Sequence, residues 1–176
     1  AAAAATPAAG ATGTGPSFWD PKPGEFMTGD SAKTLLKQVG LPELEDGEAL
    51  LFHGTSPHAA REIAKGHFKL SQAKPSGMGG AGFYFAESCC KSDEYSTEED
   101  GNFAMLIVRV FLGRVYECDK PDVDKAELQA ARASGCTAVL LDRAKAKGTY
   151  REFVIYDHKQ CVPHFIVWYK PDPKDK

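Results

Sequence analysis

The sequence predicts an α+β fold, a mixed or antiparallel β-sheet core with short flanking helices. Three observations carry that reading. About five or six apolar runs read as core strands, REFVIYD and VPHFIVWY among them being rich in β-branched and aromatic residues. The helical stretches between them are brief, and most are closed by glycine. Strands and helices also fail to alternate in the regular βαβα order of a doubly wound parallel sheet. At 176 residues, with 43% hydrophobic and 26% charged side chains, the chain is long enough for one domain with a sizeable core and short for two.

Residues 1–24 are dominated by Ala, Gly, Thr and Pro and end in FWDPKPGE. Such a segment buries too little apolar surface to offset its ordering entropy, so a linker is expected, with Phe18 and Trp19 available to dock on the domain. Residues 25–48 read as a short helical lead-in. There Asp30 caps the run DSAKTLLKQV, Leu35, Leu36 and Val39 supply its apolar side, and Gly40 stops it. The main domain is expected over 49–170, followed by a polar tail, 171–176.

Within that domain ALLFHGT reads as a buried strand ending in a turn, and Ser56-Pro57 opens a helix that stops at Gly66. KLSQAKPSGMGGAG is a glycine-rich loop, FYFAE a short strand, and SCCKSDEY a helix. After the acidic turn STEEDGN comes FAMLIVRVFLG, an apolar run of strand composition whose charge is confined to Arg109. Residues 122–133 are helical by composition and closed by Gly135. TAVLL, REFVIYD and VPHFIVWY supply three more strands.

Charge and composition exclude several classes. A net charge of -3 leaves no basic footprint for nucleic acid. No apolar run approaches the roughly 20 residues needed to cross a bilayer, so no membrane span is expected. The five cysteines are odd in number and form no CxxC pair, which suits reduced thiols in an intracellular protein and gives no metal site. The opening AAAAATPAAG lacks the basic start and apolar stretch of a signal peptide. A start on Ala1 rather than Met fits a piece of something longer.

GMGGAG, 77–82, matches the glycine spacing of a dinucleotide fingerprint. That fingerprint needs a strand before the glycines and a helix after, and here a strand follows. A loop whose backbone can approach a ligand closely is the better use of these glycines. His53 ends its strand beside Gly54, and a lone histidine there is ordinarily structural. Gly54 changes the balance, because a bare backbone donor and acceptor suit a carboxamide. Tyr84 and Tyr95 are aromatics of the kind usually found in cores, but Tyr95 lies in a polar helix with Ser92 three residues earlier on the same face. A hydroxyl beside an aromatic face suits a flat heteroaromatic ring carrying an amide. Glu152 leads an otherwise apolar strand, which marks either a solvated strand end or a carboxylate held at the edge of a cleft.

Taken together, HGT, GAGFYFAES, KSDEY and REFVIYD, with VPHFIVWY behind them, strongly resemble the catalytic domain of the poly(ADP-ribose) polymerases, the ADP-ribosyltransferases with a His-Tyr-Glu triad. The similarity runs from about Leu51 to Tyr169 in the family's order. It implies the ADP-ribosyltransferase fold, with its split sheet, and NAD as ADP-ribose donor without a metal. The resemblance makes His53, Tyr84 and Glu152 the catalytic triad. His53 would bind the adenine-side ribose, Gly54 and Ser92 the nicotinamide carboxamide, and Tyr84 and Tyr95 the two faces of the nicotinamide ring. Thr55 and Ala86 count with the NAD-binding residues, and Glu152 would bind the 2′-hydroxyl of the nicotinamide ribose. KLSQAKPSGMGG corresponds to the loop over the donor nucleotide.

The implied activity is cleavage of the nicotinamide–ribose bond and transfer of ADP-ribose to a protein or other nucleophile, by a monomer. Departures from well-known members are visible. The lead-in is too small for the helical domain that gates NAD access in the DNA-damage-activated enzymes. The segment between Tyr95 and Met105 lacks the zinc cluster of the tankyrases. LLDRAKAKGTY, where the acceptor loop lies, is compact and tilts the reading towards mono-ADP-ribosylation. An NAD glycohydrolase and a catalytically silent NAD-binding or scaffold module are the alternatives.

Overall fold

The computed structural model describes residues 29–170. The linker and tail expected at the two ends, with Phe18 and Trp19, lie outside these residues. One open sheet of seven strands organises the chain: β1 (Glu48–Thr55), β2 (Phe83–Ala86), β3 (Phe103–Phe111), β4 (Val115–Cys118), β5 (Ala138–Asp142), β6 (Arg151–Ile155) and β7 (Cys161–Tyr169), in the spatial order β4-β5-β6-β2-β1-β3-β7. Every neighbouring pair is antiparallel except β4 and β5, which run parallel. Five short helices flank it: α1 (Gly29–Gln38), α2 (Pro57–Lys65), α3 (Cys89–Asp93), α4 (Lys125–Ala133) and α5 (Arg143–Lys147). The α+β class therefore holds, with one strand more than expected. VYEC, the four residues of β4, is too short to declare itself by composition and is recruited by pairing with Val139 and its neighbours on β5.

Local chemistry sets the helix bounds. The Ser56 hydroxyl accepts from the Ala59 amide and Pro57 occupies the first turn, so α2 starts where the sequence signals it. The Asp124 carboxylate caps α4 by accepting from the amides of Ala126 and Glu127. Gly40, at φ +69°, follows α1. Arg109, the one charge in β3, pairs with Glu48 and donates to the Pro42 and Glu43 carbonyls (3.1 and 2.7 Å), tying the lead-in to the sheet.

Alternation along the strands sorts the core. Leu51, Phe85, Leu106, Val108, Phe153 and Ile155 pack with Ala60 and Phe68 on one face. On the opposite face Val139, Leu141 and Val154 pack with Leu128 of α4. The sheet is continuous everywhere except at its middle. β1 and β3 share eight register pairs, whereas β1 and β2 share one, Phe52 with Ala86. Beyond that pair the two strands separate, leaving His53 to Thr55 without a β2 partner.

Candidate active site

The cleft opens at this split. A cavity of about 520 Å³ is lined by His53, Gly54, Thr55, Tyr84, Ala86, Lys91, Ser92, Tyr95 and Glu152, with residues 68–78 as its other wall. Its volume lies in the range of small-ligand pockets. All the residues singled out in the sequence are therefore neighbours, although they come from β1, β2, α3 with its following turn, and β6.

One row of the sheet explains the convergence. Phe52, Ala86, Glu152 and Leu141 are successive cross-strand partners on β1, β2, β6 and β5, so Glu152 shares a face with Ala86 and Tyr84. His53 follows Phe52 and points to the other face, against the rings of Phe68 and Phe85 (centroids 5.1 and 5.5 Å). Residues from opposite faces reach one cavity only because the sheet is parted between them. His53 spans the gap: its Nδ1 lies 2.8 Å from the Tyr84 carbonyl oxygen. A carbonyl can only accept, so Nδ1 carries the proton and Nε2 keeps its lone pair. Burial lowers the His53 pKa, against the Tyr84 carbonyl that raises it, and the imidazole stays neutral.

Glu152 is the second residue of β6 and only 3% exposed, so it is no solvated strand end. Burial raises its pKa, opposed by the Lys91 ammonium and by the Tyr95 hydroxyl. Lys91 Nζ stands 3.9 Å from Glu152 Oε1 and 2.7 Å from Glu94 Oε2, and the Tyr95 hydroxyl donates to Glu152 Oε1 over 3.4 Å. The carboxylate is thus held in place with incomplete charge compensation. Behind it Arg151 and Glu87 form a two-point ion pair (2.7 and 2.6 Å) that clamps the start of β6 to the end of β2.

Lys91 escaped the sequence reading, because a lysine in CKSDEY looks like an ordinary solvated helix charge. Its spacing to Tyr95, i to i+4, was the available signal, and the ammonium lies 5.0 Å from that ring's centroid. If Glu152 has the catalytic role that the resemblance implies, Lys91→Met is expected to move the acid limb of turnover to higher pH, since it removes a charge that favours the ionised Glu152. At neutral pH the rate should fall roughly threefold to tenfold, the scale of one lost charge-assisted contact. A pH–rate profile set beside that of Lys91→Arg checks this, and coincident acid limbs in Lys91→Met and wild type would contradict it.

Ser92 is buried, at 3% exposed, on α3. Tyr95 lies just past the end of that helix rather than within it, and a turn joins the two through the Tyr95 amide and the Ser92 carbonyl (3.1 Å). This turn frees the Tyr95 ring, which is 55% exposed at the cavity mouth. Gly54 serves a purpose the sequence did not reveal. A Cβ there would sit 1.7 Å from the Ser92 carbonyl oxygen, so its bareness lets α3 press against β1. The glycine loop, followed by strand β2 as expected, lies on the sheet itself: a Cβ on Gly77 would meet the Tyr84 hydroxyl at 2.3 Å, and one on Gly79 would meet Val154 at 2.8 Å. Among the described residues no group of three His, Cys, Asp or Glu is placed to hold a metal ion, and no helix is long and apolar enough to cross a membrane.

A mixed sheet parted at its centre, with aromatic, hydroxyl and carboxylate groups around one cavity, defines an α+β domain with a candidate ligand-binding cleft. The family model of the poly(ADP-ribose) polymerase catalytic domain matches residues 29–139. That is more than half of the chain, and the chain belongs to this family. Family members are NAD-dependent ADP-ribosyltransferases, and NAD is their substrate. The match takes in His53, Tyr84, Ser92 and Tyr95 and ends before Glu152.

Proposed function

We propose that this domain cleaves the nicotinamide–ribose bond of NAD and transfers ADP-ribose to a protein side chain or other nucleophile, one unit at a time. The observation that carries the reading is the buried Glu152 carboxylate in one cavity with His53, Tyr84, Ser92 and Tyr95. The Tyr84 and Tyr95 rings flank the nicotinamide, and Gly54 and Ser92 hold its carboxamide. His53 presents Nε2 as acceptor to the adenine-side ribose, with Thr55 and Ala86 completing the wall. Lys69 and Lys74, on the opposite wall, have no ion-pair partner among the described residues and suit the donor's pyrophosphate.

Breaking the glycosidic bond leaves positive charge on the ribose, the same demand that glycosidases meet with carboxylates. Glu152 accepts a hydrogen bond from the 2′-hydroxyl and stabilises that charge. Because its own charge is incompletely compensated before the reaction, the interaction strengthens as the cation develops, which is the condition for lowering a barrier rather than merely binding substrate. α5 packs the segment before β6 into a short helix, and this compactness favours single transfer over chain growth.

Incubation with NAD labelled in the ADP-ribose moiety, followed by mass analysis, tests the reading. Nicotinamide release with label on protein, in single units, is expected. Free ADP-ribose alone would make the domain a glycohydrolase, labelled chains would make it a polymerase, and binding without nicotinamide release would make it a silent module.

A further inference from the structure

The loop Gly77–Gly82 is fastened at one point from two sides. The Gly79 amide donates to the Tyr84 hydroxyl (2.9 Å), which in turn donates to the Gly80 carbonyl (2.8 Å). From below, the Tyr156 hydroxyl donates to the Gly79 carbonyl (2.8 Å). Tyr156 follows β6 and is not among the residues lining the cavity. Its ring packs with the apolar cluster under α4, and the Arg132 guanidinium of α4 covers it 3.6 Å from the centroid. Gly79 is thus held by two phenols, one inside the cavity and one outside it. Their own peptide partners explain why both hydroxyls, half-buried in apolar surroundings, are tolerated there.

We propose that Tyr156 is a positioning residue for donor binding: it seats Gly79, and Gly79 in turn fixes the hydroxyl, and hence the ring plane, of Tyr84. The inference rests on the assignment of Tyr84 to the nicotinamide ring. Arg132 restrains the Tyr156 ring from α4, so the aromatic surface that meets the ligand is set by a file of contacts running through the sheet's flank. Removing the Tyr156 hydroxyl leaves the Gly79 carbonyl without its partner and lets the loop leave its seat, while Glu152 and Lys91 are untouched.

Tyr156→Phe keeps the ring under Arg132 and deletes only the donor. Its KM for NAD is expected to rise about threefold to tenfold, the scale of one neutral hydrogen bond, with kcat within about twofold of wild type. The dissociation constant of benzamide, a planar carboxamide without ribose or phosphate, is expected to rise by the same factor. Amide exchange over residues 77–82 is expected to quicken. Equal benzamide affinity and equal KM in variant and wild type overturn the proposal, as does a loss in kcat with KM unchanged. If wild type itself neither binds benzamide nor releases nicotinamide, the functional reading has failed and the proposal falls with it; if wild type binds and the variant binds equally, the proposal alone falls.

Discussion

Glu152→Gln is expected to bind NAD about as well as wild type, to release nicotinamide roughly 10²–10³-fold more slowly, and to melt at a higher temperature above neutral pH. The rate loss, about 3–4 kcal/mol of barrier, follows from replacing a charge by an amide dipole of similar shape at the point where positive charge develops. The gain in stability follows from burial. Folding raises the Glu152 pKa above its ordinary value, so ionising the group works against the folded state. A carboxyl shifted in this direction makes its full contribution to stability below the unfolded value of about 4.3 and loses it as pH rises through the folded value. Glutamine has no proton to lose. The melting temperatures should therefore lie close together near the unfolded value and diverge as pH rises through the folded value. Melting across that range, calorimetry with NAD and nicotinamide release check the three parts. Comparable turnover in the variant would remove Glu152 from the mechanism, and a lower melting temperature at high pH would show that Lys91 and Tyr95 outweigh burial.

Gly54→Ala is the second large effect. The added methyl carbon would land 1.7 Å from the Ser92 carbonyl oxygen and 2.7 Å from its carbonyl carbon. These are backbone atoms, so no rotamer change relieves the clash, and α3 must lift from β1. A loss of about 3 kcal/mol or more is expected, at the upper end of what overpacking costs. That corresponds to a fall in melting temperature of roughly 6–12 °C for a domain of this size. Ser92, Lys91 and Tyr95 move with α3, so benzamide binding should be lost even where the variant remains folded. A variant that melts and binds like wild type would mean that the contact between α3 and β1 is looser than the structure shows.

The parts of this molecule legible in sequence are those governed by near neighbours. Ser56-Pro57 starts α2 and Gly40 ends the lead-in helix through local hydrogen bonds and dihedral freedom. The apolar, largely β-branched runs of β3, β6 and β7, and the apolar run of β5, declare themselves by composition. What stayed hidden depends on partners far along the chain. β4 becomes a strand because β5, more than twenty residues later, offers it an edge. Lys91 reads as surface charge until β6 brings Glu152 to it across 61 residues of sequence. The need for glycine at position 54 belongs to the approach of α3, and the service of Tyr156 to the seat of a loop 77 positions away. His53, Tyr84 and Glu152 were nameable through their combined motifs, but the parting of β1 from β2, which brings them together, has no mark in any one of those motifs.

That parting also sets which residues of the cleft the fold itself depends on. His53 serves as a stitch, joining two half-sheets through its bond to the Tyr84 carbonyl, and its loss would weaken the scaffold as well as the ligand contact. Glu152 is the reverse, a buried carboxyl whose ionisation burial opposes. One residue of the cleft thus helps to hold the fold together, and the other works against it when ionised.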